Sequence, residues 1–106
     1  MNLCYIVPVS GWTFLTNHAR VLVCIARQPG STLREIASCA EITERTTHQI
    51  VDELVETGYL TRTRIGRRNS YEVHPDRPLR HPLDARFEIG DLLRPLLRPE
   101  QDSEAA

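Results

Sequence analysis

The stretch TLREIASCAEITERTTHQIVDELVETGYL, Thr32–Leu60, decides the fold. Thr32-Leu33-Arg34-Glu35 has the spacing of a capping box, in which the Thr32 hydroxyl oxygen accepts the Glu35 N–H while the Glu35 carboxylate reaches back to the Thr32 N–H. Leu33, Ile36 and Ala37 then fall on one face, so a short helix is expected to run to about Ala40. Ile42-Thr43 opens another helix after a brief turn. From there Ile50, Val51, Leu54 and Val55 recur at the 3.6-residue period, and Gly58 stands where a helix ends in the left-handed conformation.

Upstream, Thr16 can cap a helix through Val21, Leu22 and Ile25, which Pro29-Gly30 ends. Trp12, Phe14 and Leu15, just before it, are expected to seal an edge of the core. Downstream of Gly58 the period changes to two. Tyr59–Arg64 and Ser70–Val73 read as strands, and Ile65-Gly66-Arg67-Arg68-Asn69 joins them into a hairpin, since Gly66 and Asn69 tolerate positive φ. Pro75, Pro78 and Pro82 predict a rigid, extended connection to a last helix over Asp84–Arg94, which Pro95 must kink or end. The fold class is therefore mainly α with a small antiparallel β-hairpin (α+β). The chain divides into an N-terminal extension (1–15), a central domain (16–75), a Pro-rich connection with a C-terminal helix (76–98) and a tail expected to be disordered (99–106).

With 106 residues and 41% apolar content, one modest core is the expectation. No stretch approaches the length of a membrane span, and the apolar run Leu3–Val9 has neither a basic region before it nor a small-residue cleavage site after it, so a cytoplasmic location is expected. Cys4, Cys24 and Cys39 lack C-x-x-C spacing and are read as reduced thiols. All thirteen basic residues are Arg, which fits a genome of high GC content. The net charge of −1 is unevenly spread: residues 1–81 carry ten Arg against eight acids, whereas residues 82–106 carry three Arg against six.

Helix, helix, turn, helix and hairpin is the order of a winged helix-turn-helix, here with an additional C-terminal helix. Residues Leu33–Ala37, Ile42–Thr47 and Asp52–Leu60 resemble the MarR and ArsR-like winged-helix regulators of bacteria, and the resemblance covers roughly Trp12 to His74. It implies a transcription regulator that binds double-stranded DNA, with no cofactor. Two positions depart from the family pattern: Glu41 replaces the usual turn glycine, and Thr47 the usual apolar core residue.

On the third helix the core face leaves Arg45, Gln49 and Asp52 on the opposite surface, with Glu44, Thr46 and His48 at its margins. Arg and Gln can read guanine and adenine edges bidentately. Thr43 and Thr46 suit phosphate contact, as do Thr32 and Arg34 near the cap of the second helix. The hairpin residues Arg62, Arg64, Arg67, Arg68 and Asn69 form a cluster of one sign, with no acid between Thr61 and Tyr71. Solvation alone is the plain alternative for any surface Arg, and protection of a strand edge is the alternative for the hairpin charges. His18, His48, His74 and His81 lack ligand spacing, so no metal is expected, and no nucleophile elbow, zincin motif, P-loop or dinucleotide turn points to catalysis. A two-fold homodimer is expected, because one winged helix reads few base pairs. The reading left open beside DNA binding is a winged helix used as a protein-binding module, its acidic end meeting a basic partner; the residues name no small-molecule effector.

Overall fold

Thr16 starts α1 (Asn17–Arg27) by accepting the Ala19 N–H on its hydroxyl oxygen at 3.2 Å, satisfying one of the donors a helix start leaves open. The computed structural model describes residues 12–98, so the run Leu3–Val9, Cys4 and the tail 99–106 lie outside the described residues. The apolar stripe Val21, Leu22 and Ile25 is buried as expected. Both halves of the capping box form at the start of α2 (Leu33–Ala40): Glu35 N–H donates to Thr32 Oγ1 at 3.2 Å and Thr32 N–H to Glu35 Oε1 at 2.8 Å.

Glu41 then takes the left-handed conformation, φ 61° and ψ 45°, which lets its own N–H and that of Ile42 turn back onto the last carbonyls of α2. This is the geometry for which glycine is the usual choice, and the chain adopts it with a glutamate. Thr43 caps α3 (Glu44–Glu56) through its hydroxyl oxygen, 3.1 Å from Thr46 N. Thr47 is fully buried, and its hydroxyl donates to the Thr43 carbonyl at 2.8 Å. The core thus accepts a polar side chain because the preceding turn of its own helix satisfies it.

Gly58, at φ +91°, turns α3 into β1 (Leu60–Ile65), which pairs antiparallel with β2 (Arg68–Val73) from Leu60↔Val73 to Ile65↔Arg68. The expected five-residue connection shrinks to Gly66-Arg67, because Arg64 pairs with Asn69 and Ile65 with Arg68. Gly66, at φ +61°, occupies the first turn position, and a positive φ there matches the twist of the two strands. Tyr71 N–H donates to the Pro29 carbonyl at 3.2 Å, fastening β2 to the connection between α1 and α2.

The C-terminal third departs from the expected extended linker. Pro78 pairs with Glu88, Leu79 N–H donates to Phe87 O at 2.9 Å and Ile89 N–H to Arg77 O at 2.8 Å, so residues 77–89 fold back as a loop. Asp84–Phe87 are consumed by turns, and α4 (Ile89–Leu96) begins five residues later than expected and runs one residue past Pro95. Gly90 sets that start: its N–H donates to Pro75 O at 2.9 Å, and a Cβ there would sit 2.9 Å from the same oxygen. Ile89 and Leu93 are buried in the chain's own core beside α1.

Two further expectations are corrected. Trp12 and Phe14 do not seal the core; they are 71% and 90% exposed and meet each other edge to face, centroids 4.8 Å apart. Cys24 and Cys39 are not free thiols but form a disulfide. Packing of α1 against α2 brings their Cα atoms to 6.2 Å, inside the ordinary bridging range, a proximity that spacing along the chain does not reveal.

Candidate nucleic-acid interface

Because Thr47, Ile50, Val51 and Leu54 are buried, the helical period forces Arg45 and Gln49 outward on the opposite face of α3. Both are exposed, one turn apart, and neither side chain hydrogen-bonds to a described residue. Thr46 is half-buried and its hydroxyl accepts from Thr43 Oγ1 at 3.0 Å, so these two threonines are partly spent on holding the helix start. Arg34 leans from α2 across to α3, Nε to Glu44 Oε2 at 3.3 Å, with 86% of its side chain still exposed.

The four hairpin arginines do not form one patch. Alternation along the strands puts Arg62 and Arg64 on the face shared with the buried Leu60 and Tyr71, Arg68 on the other face, and Arg67 in the turn. Arg62 is committed to the protein: its Nη1 donates to Asp52 Oδ1 at 3.0 Å. The other oxygen of that carboxylate faces His48 Nδ1 at 3.3 Å, one helical turn back. Asp52 therefore ties β1 to α3 and steadies His48, a role the sequence reading did not assign. The i,i+4 spacing of His48 and Asp52 was the available signal for half of it. Arg64 donates through Nε to Gly66 O at 3.1 Å, within its own turn.

Arg68 Nη2 donates to Gly30 O at 3.0 Å. That contact draws the hairpin tip toward the start of α2, leaving a hollow of about 180 Å³ lined by Thr32, Leu33, Arg67, Arg68 and Asn69, among others. The sequence named the Thr32 cap and the hairpin tip as separate candidates; the fold brings them together. Arg67 is exposed and makes no side-chain hydrogen bond to a described residue. An unpaired guanidinium next to the positive end of a helix dipole is an environment suited to a phosphate group.

Among the described residues no group of three or more His, Cys, Asp or Glu could hold a metal ion, and no helix is long and apolar enough to cross a membrane. No protein of curated function matches the sequence. The model of the MarR family matches residues 12–67, just over half of the 106 residues, and spans α1, α2, α3, β1 and the hairpin turn. With four helices and one two-stranded antiparallel hairpin among the described residues, and that match, the chain belongs to the MarR family of winged-helix transcription regulators.

Proposed function

We propose that the protein is a sequence-specific binder of double-stranded DNA that represses transcription in the cytoplasm as a homodimer. In this reading α3 enters the major groove and the hairpin follows the phosphate backbone. The observation that carries it is the exposure of Arg45 and Gln49, without internal partners among the described residues, beside a hairpin that Asp52 holds against the same helix. A side chain that bonds to nothing in its own fold keeps its donors for a ligand, and Arg and Gln are the types that match purine edges. Arg67, with Thr32 at the start of α2 and Arg68 and Asn69 around it, takes a phosphate. Arg62, spent on Asp52, serves to orient the hairpin. In a two-fold dimer the two α3 helices address half-sites about one helical turn apart.

Selection of bound sequences from a random duplex pool tests this reading. A defined, two-fold related motif is expected. On that motif Arg45→Ala should cost about 1–3 kcal/mol and relax one base position, while Arg67→Ala weakens all sequences alike. Recovery of no motif, or uniform loss in both variants, would remove base reading by α3.

A further inference from the structure

A cavity of about 630 Å³ opens where the first turns of α1, the C-terminal half of α3 and the loop before α4 meet, at the end of α3 remote from Arg45. Its floor is made by Ala19, Leu22, Leu54, Tyr59 and Ile89, all members of the buried core, with Leu92 beside them. Half-buried Leu79 and Leu92 extend this floor with apolar surface that a ligand could cover. The volume lies within the roughly 300–1,000 Å³ typical of small-molecule sites, and an apolar floor with a few convergent polar groups is the usual form of such sites.

The rim decides the chemical class. It carries His18, Glu53, Glu56, Arg80, His81 and Asp84. Glu53 Oε1 is held by His18 Nε2 at 2.7 Å, and His81 Nδ1 accepts the Leu83 N–H at 3.1 Å. Neither Glu56 nor Asp84 has a side-chain hydrogen bond or ion pair to a described residue. Three carboxylates thus face one guanidinium, and two of them are uncommitted. An anionic ligand would meet the net negative charge of this rim, and a cationic head would be drawn to it. A cationic head on an apolar body answers both the rim and the floor.

We propose that this cavity is a binding site for a small organic cation, an ammonium or amidinium group carried on an aromatic or branched apolar body. The site does not depend on DNA recognition, and its test uses the full chain without DNA. Tryptamine and indole-3-propionate present the same ring with opposite charge, so each is titrated at low ionic strength and followed by backbone amide NMR. Tryptamine is expected to saturate at one equivalent, shifting the amides of Ala19, Leu22, Leu54 and Ile89 while leaving those of Arg45–Gln49 unmoved; the propionate should bind at least tenfold more weakly. Glu56→Gln combined with Asp84→Asn should weaken tryptamine tenfold or more while circular dichroism and the melting temperature stay unchanged. Glu56→Gln alone should give a smaller loss in the same direction. Propionate binding as tightly as tryptamine, shifts scattered over other faces, unchanged affinity in both variants, or no binding by either probe at millimolar concentration would each overturn the proposal.

Discussion

Glu41 holds a backbone conformation that costs an L-residue about 1–2 kcal/mol, and its side chain is exposed. Glycine would relieve that strain at the expense of a more flexible unfolded chain. The strain is the larger of the two, so Glu41→Gly should raise stability by about 0.5–1 kcal/mol, seen as a higher urea midpoint at unchanged slope. A lower midpoint would show that the glutamate side chain contributes more than its backbone costs. Thr47 teaches the complementary lesson. Its position in the core was implied by the resemblance to winged-helix regulators, but its tolerance was not legible, since the carbonyl that accepts its hydroxyl is also the acceptor of its own N–H and comes with the helix.

At the scale of elements, starts and stops were legible because caps are local. Thr16, Thr32, Thr43 and Gly58 each act within a few residues of themselves, and each helix or strand they border lies where their chemistry puts it. Contacts between elements were not legible: the Cys24–Cys39 bond, the Asp52–Arg62 pair and the late start of α4 all depend on partners ten or more residues away. The disulfide closes a segment with a sequence separation of 15. By loop-closure entropy, Cys39→Ser should therefore cost up to about 3 kcal/mol, and wild-type protein melted in reductant should match the variant. Equal melting temperatures with and without reductant would deny the bond any part in stability. The Asp52–Arg62 pair is partly solvated, 44% and 34% exposed, and such pairs contribute about 1 kcal/mol or less. Asp52→Asn should hardly change the melt. It releases Arg62 toward phosphate and loosens the hairpin, so affinity for random duplex should rise while preference for the selected site falls. An unchanged ratio of the two affinities would reduce the pair to a surface contact.

For the whole molecule, the total charge of −1 is a poor guide to binding, because residues 1–81, which include α3 and the hairpin, carry ten Arg against eight acids. Field at the contact surface sets the counterion release, whatever the sum over the chain. With one phosphate engaged by Arg67 of each hairpin, two in the dimer, log affinity for DNA should fall against log salt with a slope of about −1.8. A slope near zero between about 50 and 200 mM would leave the acidic end as the interacting part. That the candidate site is divided between a reading helix and a tip joined to the start of α2 was half visible in the sequence. Residue types marked both places, whereas the Arg68–Gly30 contact that unites the tip with Thr32 needed three-dimensional proximity.

The outlying aromatic pair has a practical outcome. Trp12 is the sole tryptophan and stands largely in water against Phe14. Its native fluorescence is therefore expected to resemble that of a hydrated indole, so unfolding should leave the emission little room to shift to the red. A denaturation curve traced by that indole follows the approach to α1 alone; the cooperative transition must be read from the far-ultraviolet helix signal or from Tyr59 and Tyr71, which are sequestered until the core opens.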